Sequence, residues 1–117
     1  MPKLLVADNS DFIRETIKDR LKKLGLTDTE EAVDGVDAVK KFKKEKPDVV
    51  VIDAAIDRLD GLEATKKMKE INPGVKIVLI SILGRDLNKE AMEAGASKFV
   101  QFPFEKDKLA EAVNELL

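Results

Sequence analysis

The sequence contains no cysteine and no histidine. Without cysteine there is neither a disulfide framework nor a thiolate metal site. Without histidine the usual general base near neutral pH and the commonest transition-metal ligand are both absent. A Ser-His-Asp hydrolase is thereby excluded, and any chemistry rests on carboxylates, hydroxyls, lysines or backbone groups. Tryptophan and tyrosine are missing too. No apolar run approaches the ~18 residues of a membrane span, and MPKLLVADNS turns polar too soon for a signal peptide. Cytoplasmic residence is the expectation. Neither sign of charge dominates, since 21 Lys and Arg oppose 23 Asp and Glu for a formal net charge of -2. That balance argues against nucleic-acid binding through a broad basic face.

What is present suits one globular domain. The 117 residues, 44% of them apolar, can bury a core without staples and are too few for two ordinary domains, so 1–117 reads as a single unit. Residues 4–7 form an unbroken apolar run, the mark of a buried strand. Phe12, Ile13, Ile17, Leu21 and Leu24 then recur at helical spacing, with Asn9 or Ser10 as cap and Gly25 as stop. Residues 27–33 make a weak, acidic strand suited to a sheet edge. Asp34-Gly35 turns into a helix carrying Val36, Val39 and Phe42, with 40–46 as a solvated flank and Pro47 as its end. Residues 49–52 are four consecutive β-branched residues, the strongest strand signal in the chain. A helix over 62–71, the turn Asn72-Pro73-Gly74 and a strand over 75–82 follow. Residues 89–94 form a short helix, 98–102 the last strand, and 106–117 a terminal helix with Leu109, Val113 and Leu116 on one face.

Strand–helix units repeated five times, with short right-handed connections, predict an α/β fold. The expected form is a flavodoxin-like, doubly wound five-stranded parallel sheet, strand order 2-1-3-4-5, with helices on both faces. Its strands should end at Asp8, Val33, Asp53, Ser81 and Phe102. The dinucleotide-binding alternative needs a glycine-rich turn after the first strand, where this chain has ADNSD, and there is no P-loop.

In such a sheet the site lies beyond the C-terminal strand ends, where strand order reverses. Strands one and three are neighbours there, so Asp8 and Asp53 should lie close together. Two carboxylates so placed repel unless a hard cation sits between them. Mg2+, which takes few protein oxygens and keeps its waters, is the natural one. The bland alternative is that each Asp merely turns or caps the chain and that Ser81 is a local hydrogen-bonder. Asp53 stands above that background because it directly follows a run that should be wholly buried.

Four segments, LLVADNSD at 4–11, VVVIDAAIDRLDG at 49–61, IVLIS at 77–81 and EAGASKFVQFPF at 93–104, resemble the receiver domain of two-component response regulators. Their order and spacing carry the resemblance across nearly the whole chain. It implies phosphorelay signalling: Asp53 takes a phosphoryl group from a histidine kinase or phosphotransfer protein. Mg2+ is then held by Asp8, the side chain at Asn9, Asp53 and the carbonyl of Ala55. Asp60-Gly61 corresponds to the turn after the third strand, Ser81 to the switch hydroxyl and Phe99 to the switch aromatic. Pro103 and Phe104 correspond to a Pro-Phe pair whose preceding peptide bond is cis. Self-catalysed phosphotransfer and dephosphorylation is the implied activity, rather than conventional enzyme turnover. Ser81 and Phe99 then alter a face of helix four, strand five and helix five that meets a downstream protein target. The resemblance implies a monomer or weak homodimer, while the charge balance and the lack of long apolar runs lead to the expectation of no nucleic-acid and no membrane partner.

Five positions depart from the family pattern. Asn9 replaces a second acid, so any Mg2+ is held weakly. Phe102 replaces the lysine that pairs with the phosphoryl group, a role a phenyl ring cannot fill. Ile82 replaces a small residue beside the switch hydroxyl, and Ile56 and Asp57 replace Met-Pro. Arg58 and Arg85 are the loop cations available to substitute for the lost lysine. Two readings follow. One is a working phosphoacceptor. The other is a degenerate pseudo-receiver, or an engineered receiver scaffold, with weak or no phosphorylation and only protein interactions. A flavin domain on the same strand order is disfavoured, because acids occupy the place of the phosphate and no Trp or Tyr is present to stack on the ring.

Overall fold

The computed structural model describes residues 2–82 and 84–117. Strands and helices alternate: β1 (Lys3–Ala7), α1 (Asp11–Leu21), β2 (Asp28–Ala32), α2 (Gly35–Glu45), β3 (Val49–Asp53), α3 (Gly61–Ile71), β4 (Lys76–Ser81), α4 (Asn88–Ala94), β5 (Lys98–Gln101) and α5 (Lys108–Asn114). All five strands pair in parallel in the order β2-β1-β3-β4-β5. This is the doubly wound sheet expected from the sequence, and each strand ends within one residue of its expected position.

The central strands are apolar on both faces because helices cover both. Leu5, Ala7, Val50, Ile52, Ile77 and Leu79 pack with α2, α3 and α4 on one side. Leu4, Val6, Val49, Val51, Val78 and Ile80 pack with α1 and α5 on the other. The period-2 alternation of a strand divides one continuous apolar run between two cores. Edge strand β2 buries only Ala32.

Local signals set the helix ends. Ser10 Oγ accepts from Ile13 N, Asp34 caps α2 through Asp37 N, and Asp60 caps α3 through Glu63 N. The cap of α1 is therefore Ser10, and Asn9 is free for another task. Three expectations need correction. Phe12 and Val36 lie off their helices' buried stripes and are exposed at 70% and 46%. The first helix stops at Leu21 and continues as a 3-10 turn over Lys22–Leu24, which ends at Gly25 with φ of 80°. The terminal helix is shorter than 106–117, because Lys106 adopts a left-handed φ of 49° and α5 begins only after Asp107.

Candidate functional site

The parallel register places three polar residues along one edge. Ala7 pairs with Ile52, Asp53 with Ile80, and Ser81 with Gln101. Asp8 immediately follows β1, while Asp53 and Ser81 are the last residues of β3 and β4. All three are almost fully buried, at 1%, 2% and 4% exposure. Buried carboxylates side by side at a strand edge are costly unless something compensates them.

The compensation is uneven. Asp53 Oδ1 accepts from Ala55 N at 2.9 Å, an Asx turn that fixes the carboxylate at the mouth of the β3–α3 loop. Asp8 Oδ1 accepts from Ser10 N at 2.8 Å, but Asp8 Oδ2 is buried with no hydrogen-bond partner. Burial pushes the Asp8 carboxyl up to about 7, and the adjoining Asp53 adds to the rise. Opposing it are the Ser10 bond and the positive charge of Arg14. Arg14 is itself buried and donates to the Asp8 carbonyl at 2.7 Å and to Glu31 at 2.9 Å, tying α1 to the β1 end and to β2. The sequence reading passed over Arg14. Its signal was an arginine one position beyond Ile13 on the inward face of α1, with an acid on the neighbouring edge strand.

Gly61 brings α3 against the end of β3. A Cβ there would lie 2.3 Å from the Asp53 carbonyl oxygen, and the Gly61 amide donates to Ala54 O at 2.9 Å. Only glycine allows that approach. Ile56, at one of the departing positions, is buried in the α2–α3 core, and Ala55 is exposed on the loop.

Asn9 bridges two loops. Its Nδ2 donates to Val33 O at 2.6 Å and its Oδ1 accepts from Asp57 N at 3.0 Å. One partner is an acceptor and the other a donor, so a carboxylate at this position could satisfy only the second. The Asn9 amide oxygen that would face a cation is thus already bonded to Asp57. Phe102 packs with the α1–α5 core and meets Phe104 edge to face, ring centroids 5.2 Å apart, with the Phe102–Pro103 peptide cis. Ile82 packs against the same core, whereas Phe99 packs on the α2–α4 side. Arg58 turns toward Asp34, 3.6 Å away, and Arg85 is exposed, its carbonyl accepting from Gln101.

Comparison with known proteins identifies this arrangement. A family model described as the response regulator receiver domain matches residues 4–114. The chain belongs to the response regulator receiver domain family. Among curated relatives it is 36% identical to the chemotaxis protein CheY of Bacillus subtilis, covering 98% of this chain and 97% of that one. It is 35% identical to CheY of Thermotoga maritima, covering 97% and 96%. Among solved structures it is similar to the receiver domain of the Francisella response regulator 1452, with a TM-score of 0.87, 32% identity and 99% and 96% coverage. A chain of the CheX-CheY-BeF3-Mg complex from Borrelia burgdorferi gives a TM-score of 0.89 at 26% identity, covering 97% and 87%. No helix among the described residues is long and apolar enough to cross a membrane.

The receiver family's metal fits this site in part. A buried, unpartnered Asp8 oxygen beside Asp53 offers a cation two carboxylates. No cluster of three or more acids, histidines or cysteines exists among the described residues to hold one more firmly.

Proposed function

We propose that this chain is a receiver module of two-component signalling in which Asp53 accepts a phosphoryl group slowly and couples it weakly to a protein-interaction face. The single observation carrying this reading is the unpartnered Asp8 oxygen buried beside Asp53, with the Ser81 hydroxyl on the next strand. An Asp53 carboxylate oxygen forms the new bond to phosphorus. The donor's bond to phosphorus breaks, and the leaving group departs with the electron pair. Neutralising the phosphoryl oxygens is the chemistry a bound Mg2+ supplies, with Asp8, Asp53 and the Ala55 carbonyl as its protein ligands. The Ala55 amide holds the Asp53 carboxylate in place, Gly61 fixes the loop behind it, and Ser81 offers a hydroxyl to the phosphoryl oxygens. No lysine stands before Pro103 to pair with the added charge. That costs the modified form ~1.5–3 kcal/mol of charge-assisted hydrogen bonding.

The pseudo-receiver reading has its own support, because the Asn9 amide is committed to two loops and Phe102 is committed to the core. The two readings part in one experiment. The protein is incubated with Mg2+ and acetyl phosphate, and intact mass is followed over time beside Asp53→Ala and Phe102→Lys. Slow addition of one phosphoryl group, absent in Asp53→Ala and faster in Phe102→Lys, is the expected result. No addition in any protein selects the pseudo-receiver. Rapid stoichiometric addition equal in wild type and Phe102→Lys would overturn the weakened pocket.

A further inference from the structure

Away from the acid site, the face of α2 that meets α3 is unlike the rest of the surface. Val36, Val39, Lys40, Lys43 and Lys44 follow one another at the i, i+3, i+4, i+7, i+8 spacing that aligns side chains along one side of a helix. Together with Leu59 and Lys67 they line a groove of about 710 Å³. Its floor is apolar: Val36 is 46% exposed, and Val39 and Leu59 are only partly buried. Its rim is four lysines. Among the described residues none of these four has a carboxylate partner, whereas their neighbours Lys41 and Lys66 are paired with Asp37 and Glu63 at 3.5 and 3.3 Å. In a chain with a net charge of -2, unpaired cations are thus gathered around exposed apolar side chains.

We propose that this α2–α3 groove docks an acidic amphipathic helix of a partner protein. Apolar side chains on the inner stripe of that helix would cover Val36, Val39 and Leu59, and carboxylates on its two flanks would meet the lysine rim. The occupant's shape follows from the lining, a stripe of five residues along α2 flanked by Leu59 and Lys67, which a rod laid along α2 covers over its length. Its charge follows from the unpaired lysines. A broad anionic surface is disfavoured, because the next groove, between α3 and α4, is lined by Asp60, Glu63, Glu90 and Glu93 against the single cation Lys66, and a plane covering both grooves would meet that net negative charge. A second copy of this chain offers that acidic groove, but with only Leu62 and Ala94 as its apolar lining it has no stripe to cover Val36, Val39 and Leu59.

The loop carrying Leu59 is also tied to the start of α2. The Gly35 amide donates to Asp57 O at 2.9 Å, and a Cβ on Gly35 would strike the Leu59 carbonyl oxygen at 1.6 Å. The loop that begins at Asp53 therefore ends pressed against the start of α2, with Leu59 in the groove. Docking here needs no phosphoryl group and is tested without one.

The probe is a synthetic stapled helix with Leu at i, i+4 and i+7 and Glu at the flanking positions. It is compared with the same helix carrying Lys for Glu and with vesicles rich in phosphatidylglycerol. Amide chemical shifts of the isotopically labelled protein are recorded through each titration. The acidic helix is expected to shift amides in 36–44, at Leu59 and at Lys67, with affinity falling about tenfold in Lys40→Glu/Lys43→Glu and again at high salt. The basic helix should leave those amides unmoved. The charge reversals lie on an exposed helix face, and circular dichroism checks that they stay folded. The proposal is overturned by no shift in these amides, by equal response to both helices, by tighter binding to vesicles than to the acidic helix, or by shifts that grow with protein concentration alone.

Discussion

A carboxyl group that is almost fully buried, with one oxygen bonded and the other bare, holds its proton longer than an exposed one. Asp8 is such a group, raised from 3.8 to about 7 by burial first and by Asp53 beside it. The folded state therefore binds a proton that the unfolded chain has already released, and between about pH 4 and 7 stability falls as pH rises. Glu31 and Asp107 act in the opposite sense, but their depressed values confine their effect to more acidic solution. Urea unfolding at pH 5 and pH 8 should show the loss in wild type and a flatter response in Asp8→Asn. Equal slopes in both proteins would refute the assignment to Asp8. Asn9 makes a second case at the same edge. Asn9→Asp adds a charge next to Asp8 in the chain and should tighten Mg2+ measured by calorimetry. It also deprives Val33 O of its donor, at a cost of ~1 kcal/mol in urea unfolding. Unchanged Mg2+ affinity would remove position 9 from any metal shell.

At the scale of the element, strand identity was written plainly in the chain. The VVVI of β3 and the IVLI of β4 admit few readings other than buried strands, and their ends give the site edge directly. Asp8, Asp53 and Ser81 could be placed together because a parallel sheet with this order leaves its strand ends in one row. The helices were legible in position but less so in facing. Periodicity alone counted Phe12 and Val36 as inward, although each is one step off a stripe already filled by Ile13 and Ile17 or by Ala38 and Phe42. Helix limits depended on single backbone conformations, such as the left-handed Lys106, that no propensity announces. The site's hydrogen bonds were the least legible part. Asn9 read as a weakened acid because its two partners, Val33 and Asp57, lie on loops 24 and 48 residues away in sequence. Phe102 read as a missing lysine. Its ring's place against Phe104 depended on a core assembled from both ends of the chain.

At the scale of the molecule, the sheet order means that after β1 has both its neighbours the structure grows in one direction. β4 adds beside β3, and β5 beside β4. The two finished borders are guarded: β2 presents Thr29, Glu30 and Glu31, and β5 is four residues long and only partly apolar. The borders that exist only during assembly are not. Every residue of β3 is buried in the complete sheet, so a chain that stops after α3 presents Val49–Asp53 as an open, β-branched edge. A fragment of residues 1–71 should therefore self-associate in light scattering at concentrations where the full chain stays dispersed, and a fragment that remains monomeric would contradict this. Protection of the β3 edge thus comes from a strand written later in the chain, and a nascent sheet that has reached α3 would pass through its stickiest stage with β4, α4, β5 and α5 yet to emerge.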